Sequence, residues 1–478
     1  MDMTEINTKL HEECGVFGIC GRGIKTPAQA VYLGLFALQH RGQESCGIAV
    51  SDRGVIKSHK GMGLVGEVFN EKNLSALKGQ NAIGHVRYST AGGSTIENCQ
   101  PLVFRYAKGR FAVAHNGNLT NAAEIKTELS QHGAMFQTTA DSEIIAQLAA
   151  RERLTSGSIE QAVVRTMNRI RGAYSVLVLS PQKLVAARDP LGFRPLVIGE
   201  TDNAFVVASE SCALDAVGAR FVRDVEPGEV VVFDQNGMRS IKDNCRGKRN
   251  ICIFEYIYFA RPDSVIDSVS VHESRLKAGA LLARQKPVDA DIVIGVPDSG
   301  LDAAIGYARE SGIAYGVGFV RNNYVGRTFI KPSQSQRRES VDIKLTPLTQ
   351  SIQGKKVVVV DDSIVRGSTS AKIIKGLKEA GALEVHLRIC SPTIHWPCYF
   401  GTDIPTKKEL TANHNSVDEL CALIGADSLD FLAKSSLGEL VNTTEKTFCD
   451  ACFTGEYPFK CKAPVKKKSK SGMKNGNI

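Results

Sequence analysis

The chain has 478 residues, 43% of them apolar and 23% charged, with a formal net charge of +9. That length suits two or three domains, and the composition is that of a globular protein with a large core. No apolar run approaches the length of a membrane span, and the acidic opening MDMTEINTKLHEE is neither a secretory signal nor a transit peptide. A cytoplasmic location, away from membranes, is therefore expected.

The positive charge is concentrated at the end of the chain. Lys462, Lys466, Lys467, Lys468, Lys470 and Lys474 fall within KAPVKKKSKSGMKNGNI, so 462–478 reads as a basic disordered tail. The remainder is near neutral, which argues against a large nucleic-acid footprint. Thirteen cysteines in a chain without an export signal do not suggest a disulfide framework. Cys20, Cys46, Cys99 and Cys212 lie among apolar or small residues and read as core. Others remain free for catalysis or metal binding.

In chain order, residues 14 to about 235 hold short strand-like runs separated by glycine turns: Val16–Cys20, Gly47–Val50, Phe111–His115 and Ser175–Leu179. Helical patterns cover Thr26–Gln39, Asn121–Gln131, Ser142–Arg151 and Ile159–Arg169. Packed sheets with helices outside are expected. Residues 236–250 are polar and read as a linker. From Ile251 the rhythm becomes alternating strand and helix, the pattern of a doubly wound sheet. Its strands are expected at Ile292–Val296, Val317–Val320 and Val357–Val360, with helices at Leu301–Glu310 and Ala371–Ala380. A basic, polar insertion, 322–345, carries Arg327, Lys331, Arg337, Arg338 and Lys344 and reads as a lid.

The most informative stretch is VVVVDDSIVRGST, Val357–Thr369. Four β-branched residues predict a strand buried on both faces. The carboxylates at its carboxyl end, Asp361 and Asp362, stand where open α/β sheets bind ligands, and they suit a ribose diol or Mg²⁺. The turn that follows offers N–H groups, hydroxyls and a helix N-terminus to a phosphate. This arrangement resembles the phosphoribosyl-diphosphate signature of the type I phosphoribosyltransferases. The resemblance implies a 5-phosphate on Ser363, Arg366, Gly367, Ser368 and Thr369, and ribose hydroxyls and Mg²⁺ at Asp361 and Asp362. It implies a diphosphate loop at Pro297–Gly300, with Ser299 near the metal. Lys331 and Arg337 of the lid would then cover the diphosphate.

The first half contains five phrases in order: CGVFGI from Cys14, HRGQES from His40, GHVRYSTAG from Gly84, HNGNLTN from His115 and DSE from Asp141. Together they resemble the N-terminal-nucleophile glutamine amidotransferases. The resemblance implies an αββα sandwich over 14–250, with residues 1–13 as a propeptide whose removal frees the Cys14 amine. Such an amine, with an ordinary pKa of about 7.7–8.0, can serve as base for its own thiol. By the same resemblance Cys14 attacks the glutamine amide, and Asn116 and the Gly117 N–H hold the oxyanion. Arg87 takes the substrate carboxylate and Asp141 its ammonium, while Arg41 and Thr90 complete the pocket.

Both halves, with FEYIYFARPDS (Phe254–Ser264) between them, resemble the amidophosphoribosyltransferase family, with a phosphoribosyltransferase domain over 251–461. The implied reaction uses glutamine-derived ammonia to make 5-phosphoribosylamine from phosphoribosyl diphosphate, the committing step of purine synthesis. An internal passage for ammonia, inhibition by purine nucleotides and a homotetramer are also implied. The Val357–Thr369 stretch argues against other amidotransferases, such as a glucosamine-phosphate synthase, and the full glutaminase set argues against a metabolite-sensing regulator. Cys449 and Cys452 form a CxxC, which alone is ambiguous. Resemblance to the cluster-bearing form of the family implies a [4Fe–4S] cluster on Cys252, Cys398, Cys449 and Cys452. Cys245, Cys390 and Cys461 are rival ligands, and zinc on the same four thiols is the main alternative.

Overall fold

A computed structural model describes residues 14–21, 26–88, 93–321, 345–402, 404, 406–443, 445 and 447–461. The expected propeptide 1–13 and tail 462–478 lie outside the described residues, as do Thr90 and residues 322–344 of the expected lid with Lys331 and Arg337.

Alternation along the strands builds the first half. A seven-stranded antiparallel sheet runs from edge to edge as Arg220–Asp224, Val197–Thr201, Ala204–Ala208, Gly15–Gly21, Asn81–Arg87, Ser45–Asp52 and Val55–Met62. A six-stranded sheet, Gly237–Ile241, Val230–Asp234, Leu184–Arg188, Gly172–Leu179, Gly109–Leu119 and Leu102–Tyr106, packs against it. Val16, Ile83, Ala112, Ala114, Leu177 and Leu179 point between the sheets. One residue along, Phe17 and Ile19 face the helix Pro27–Ala37, and Val113, Val176 and Val178 face the helices Ser142–Thr155 and Ile159–Met167. Period-two patterning thus yields the expected αββα sandwich.

The expected linker is partly a strand. Gly237–Ile241 pairs antiparallel with Val230–Asp234 after a turn at Gln235 and Asn236. It is an edge strand with polar side chains outward, so its apolar signal was too weak to read.

The second half centres on four parallel strands, ordered Ile292–Gly295, Lys356–Asp361, Glu384–Ile389 and Ser428–Phe431. Val358 and Val360 pack toward the helices Val271–Gln285 and Leu301–Ser311. Val357 and Val359 pack toward Ser368–Glu379 and Val417–Ile424. Burial on both faces explains the unbroken valine run. The strand expected at 317–320 is not in this sheet. Tyr315 makes one parallel bridge to Val293 and the chain then departs. Phe319–Arg321 instead pairs antiparallel with Leu345–Pro347. Gly316 and Gly318 supply no side chains to hold an edge strand there.

The chain's later segment returns to the junction between the halves. Ile251–Cys252 pairs in parallel with Phe448–Cys449, and a π-helical turn, Glu255–Phe259, follows at once.

Candidate active sites

Cys14 directly precedes the strand Gly15–Gly21, which lies beside Asn81–Arg87 with Gly15 opposite Val86. The thiol is therefore set against the end of the neighbouring strand, and its Sγ donates to the Tyr88 carbonyl at 3.4 Å. Burial pushes the thiol up to about 11, against the opposing influence of the Tyr88 backbone and Arg87; Glu44 and Asp141 add to the rise. Arg87, Glu44 and Asp141 thus all share the surroundings of Cys14. Arg87 bonds the Glu44 carboxylate through Nη1, which also donates to Gly93 O at 3.3 Å.

Asp141 stands just before the helix Ser142–Thr155 and accepts the Leu119 N–H at 2.8 Å. Its other oxygen lies 3.6 Å from His115 Nδ1. Burial opposes ionisation of Asp141, but His115 and the Leu119 and Ser142 N–H groups outweigh it, and the carboxyl titrates below its ordinary value. His85 Nε2 lies 3.0 Å from the His115 carbonyl, which ties the strand ending in Arg87 to the strand carrying Asn116.

Asn116 is buried, and its Nδ2 has no hydrogen-bond partner among the described residues. A buried donor left unpaired costs about 1–3 kcal/mol, so such a group marks a place where a ligand oxygen belongs. Gly117 has φ +137°, and a Cβ there would lie 2.0 Å from the Ala173 carbonyl oxygen, so only glycine fits.

The structure gives Arg41 a different task from the one expected. Its Nε donates to the Cys14 carbonyl at 3.2 Å. Its remaining nitrogens are taken by Glu210 and Glu255, both fully buried, with Nη2 2.8 Å from Glu255 Oε1. A guanidinium neutralised on both sides offers no free fork to a substrate carboxylate. Arg41 holds the Cys14 backbone instead.

In the second half, the loop Pro297–Gly300 lies against the end of the valine strand, with the Val296 N–H donating to Val360 O at 2.9 Å. Ser299 Oγ donates to Asp362 Oδ1 at 2.6 Å and Ser363 Oγ to Asp362 Oδ2 at 2.5 Å. The Asp362 N–H donates to Asp361 Oδ1 at 3.0 Å. The two carboxylates, both buried, are thereby fixed side by side. Asp298 pairs with Arg321, and the Pro297–Asp298 peptide is cis. Gly367, in the left-handed region, caps the helix Ser368–Glu379, and Ser368 Oγ is buried without a partner. Arg366 reaches Glu409 at 3.2 Å, and Thr369 also has a partner. Burial raises the Tyr258 hydroxyl and the Cys390 thiol, and both aspartates add to the effect; the Cys390 N–H donates to Asp361 O at 2.9 Å.

The donor set fits Mg²⁺, a hard cation that keeps water and takes the rest of its shell from substrate phosphates. Among the described residues no three His, Cys, Asp or Glu side chains gather closely enough to hold a single metal ion by themselves.

Cys252, Cys398, Cys449 and Cys452 line one apolar pocket with Phe193 and Phe400. Burial pushes Cys252 and Cys449 up to about 12 and Cys452 well above its ordinary value, and the other thiols of the set reinforce each shift. These thiols are close enough to feel one another. Of the rivals, Cys245 stands near Glu226 and Glu229, and Cys390 stands near Asp361 and Asp362. Cys461 alone approaches the set, at Cys398.

Residues 85–216 match the glutamine amidotransferase domain family and residues 270–390 the phosphoribosyl transferase domain family. The chain is 48% identical to an amidophosphoribosyltransferase of Bacillus subtilis over 456 residues, 94% of each chain. It is also 48% identical to the chloroplastic amidophosphoribosyltransferase 1 of Arabidopsis thaliana, covering 98% of this chain and 82% of that one. The chain belongs to the amidophosphoribosyltransferase family. Its fold agrees with that of a solved "allosteric regulatory enzyme of purine biosynthesis", with a TM-score of 0.88 and 47% identity over 94% of this chain and 97% of that one. A glutamine phosphoribosylpyrophosphate amidotransferase from B. subtilis, complexed with ADP and GMP, superposes with a TM-score of 0.86 over 93% of this chain and 97% of that one, at 47% identity.

As an amidophosphoribosyltransferase the chain catalyses the first step of purine synthesis. Glutamine and water give glutamate and ammonia; ammonia then displaces diphosphate from C1 of phosphoribosyl diphosphate and leaves 5-phosphoribosylamine. No helix among the described residues is long and apolar enough to cross a membrane.

Several residues that shape the amidophosphoribosyltransferase sites carried no assignment in the sequence reading: Glu44, Glu210, Glu255 and His115. Glu255 had a signal. A lone carboxylate inside the apolar run IFEYIYFA predicts a buried, paired acid. Glu210 lies 169 residues from its partner Arg41, and nothing local announces that pairing.

Proposed function

We propose that Cys14 is the glutaminase nucleophile and that residues 1–13 are removed to expose its amine as the base. Asn116 Nδ2 and the Gly117 N–H take the charge that develops on the amide oxygen, where such donors count most. Arg87 receives the glutamine carboxylate, exchanging part of its bond to Glu44, and Asp141 receives the ammonium. The single observation that carries this reading is the unpartnered Asn116 amide, held on the strand that leads to Asp141's anchor at Leu119.

In the second site, Asp361 and Asp362 orient the ribose hydroxyls, and the 363–369 turn holds the 5-phosphate at the helix N-terminus. Mg²⁺ held beside Asp361, Asp362 and Ser299 would neutralise the departing diphosphate. Lys331 and Arg337 cover it. The unpartnered Ser368 hydroxyl supports this phosphate position. The pocket thiols Cys252, Cys398, Cys449 and Cys452 hold a [4Fe–4S] cluster that ties the chain's return segment to the domain junction. Purine nucleotides inhibit the enzyme, which acts as a cytoplasmic homotetramer; support for the inhibition comes from the ADP and GMP bound to the B. subtilis relative.

The test is glutaminase activity of anaerobically purified protein with and without phosphoribosyl diphosphate, with Cys14→Ala as control. Glutamate release that rises with phosphoribosyl diphosphate, is accompanied by diphosphate and vanishes in Cys14→Ala is expected. Intact mass should give a chain starting at Cys14. An active enzyme that retains Met1, or an active Cys14→Ala variant, would overturn the N-terminal reading.

A further inference from the structure

The loop that carries Cys398 belongs to the second half of the chain, yet it is bonded to the oxyanion strand of the first. Asn118 Nδ2 donates to Tyr399 O at 2.8 Å. Arg194 Nη2 donates to Phe400 O at 2.6 Å, and the rings of Phe400 and Phe193 stack 4.3 Å apart. Gly401 has φ +117°, and a Cβ there would meet Arg194 Nη2 at 2.9 Å and Gly117 Cα at 3.5 Å. The loop backbone therefore lies against Gly117 itself, one residue from Asn116 and one from Asn118.

We infer that Asn118 and Gly401 are positioning residues for the glutaminase, forming a latch through which the 398–401 loop sets the oxyanion strand. The inference rests on the proposed oxyanion role of Asn116 and Gly117. Gly117 is the residue with the least intrinsic constraint on its backbone, since glycine occupies φ > 0 without preference. Its conformation must be set from outside, by the Ala173 carbonyl on one side and by Gly401 on the other. Hydrolysis in the first half is thereby made to depend on a loop anchored in the second. The dependence is chemically useful: ammonia released while the halves are disengaged would be lost to solvent. Arg194 reinforces the latch, since it also bonds Glu255, the carboxylate that holds Arg41 behind Cys14.

Full-length Asn118→Ala, Gly401→Ala and Asn116→Ala variants test the inference with glutamine or ammonia as nitrogen donor. Loosening the latch should lower the glutamine-dependent kcat of Asn118→Ala and Gly401→Ala about ten- to a hundredfold, the scale of a misplaced catalytic group. The glutamine KM should stay near wild type and ammonia-dependent synthesis should be unchanged, a split that general damage to the fold would not produce. Should Asn118→Ala fail to fold, Gly401→Ala decides, because it perturbs the same contact from the other side. Wild-type glutamine kcat, or an equal loss with ammonia, overturns the latch. Asn116→Ala separates the two ideas. If it loses glutaminase while the latch variants keep it, only the latch falls. If Asn116→Ala itself keeps wild-type kcat, the oxyanion reading falls and the latch with it.

Discussion

Arg41, which holds the Cys14 carbonyl, is itself held by Glu255 of the domain junction: Nη2 lies 2.8 Å from Oε1 and Nη1 3.0 Å from Oε2, with both side chains sealed from solvent. Glu255 also bonds Arg194, at 3.3 Å. One carboxylate therefore bridges two buried guanidinium groups, one leading to Cys14 and one to the cysteine-bearing loop, while Glu210 supplies the second negative charge beside Arg41.

Replacing Glu255 by Gln would leave Arg41 to Glu210 alone and take from the buried Arg194 its Glu255 carboxylate. Removing one partner of a buried pair costs about 3–5 kcal/mol, far more than the pair contributes over an apolar substitute. Glu255→Gln should therefore lower the midpoint of chemical unfolding and reduce glutamine-dependent synthesis. Ammonia-dependent synthesis should suffer less, because Arg41 acts on Cys14 and not on the Asp361–Asp362 site. Denaturant titration with both activity assays checks this; an unaltered midpoint would show that the pair is not the anchor described.

Arg87→Ala and Asp141→Asn should act on glutamine alone. A hydrogen bond to a charged group contributes about 1.5–3 kcal/mol, which corresponds to a ten- to hundredfold rise in glutamine KM. Ammonia-dependent activity should persist in both variants. A mutant that loses activity equally with either nitrogen donor would place the residue in the fold and not in the pocket.

The Asp362 carboxylate accepts hydroxyl donors from Ser299 and Ser363 on its two oxygens. Asp362→Asn would turn an amide toward one of them and remove a negative charge from the proposed Mg²⁺ position. We expect the KM for phosphoribosyl diphosphate to rise at least tenfold, about 1.4 kcal/mol, and its Mg²⁺ dependence to weaken. Basal glutaminase measured without phosphoribosyl diphosphate should be retained. Unaltered kinetics with phosphoribosyl diphosphate would remove Asp362 from the site.

Acid sensitivity should come from specific buried groups. Burial lowers the His85 ring to about 3 from its ordinary 6.5. The unfolded chain then binds a proton that the folded chain refuses, so His85 subtracts stability as pH falls from about 6.5 toward 3. Glu210 acts in the same direction: although burial opposes its charge, His40 and Arg41 hold the carboxyl far below 4.5. The stability it contributes is present above about 4.5 and is lost as pH falls below that value. Unfolding free energy measured from pH 7 to 4 should decline, and His85→Gln should flatten the upper part of that decline. A slope untouched by His85→Gln would mean that the ring is protonated in the folded protein.

Much of the architecture could be read from the chain because its buried strands carry unbroken apolar runs. The apolar runs at 357–360 and Phe111–His115 are both buried throughout, as continuous strand signals require. The polar edge strand Gly237–Ile241 could not be read this way, because an edge strand with outward polar side chains has no continuous apolar stripe. Among the proposed site residues, Cys14, Asn116, Asp141, Asp361 and Asp362 stand in local phrases that the sequence alone singles out. Arg41 was visible but its task was not, because that depends on Glu210 and Glu255, distant in sequence and brought together only by the packed halves. Side-chain identity announces charge; only tertiary structure says which charge is already spent.

The cysteine pocket gives the sharpest prediction about composition. Burial and neighbouring thiols push Cys252, Cys449 and Cys452 up, toward the neutral form. A metal group must displace those protons, and a soft, multi-iron cluster bound by four thiolates is suited to that exchange. Protein purified without oxygen should carry about four irons per chain and show the broad visible absorption of an iron–sulfur cluster. Cys452→Ser should lose the iron. Cys245→Ser and Cys390→Ser should keep it, since their thiols face Glu226 and the Asp361–Asp362 pair instead. Cys461→Ser is the discriminating variant, because Cys461 is the outsider that approaches Cys398. Iron retained in Cys461→Ser assigns the cluster to Cys252, Cys398, Cys449 and Cys452. Iron lost there, but kept in Cys398→Ser, would exchange one ligand for the other. A colourless protein with one zinc per chain would replace the cluster altogether.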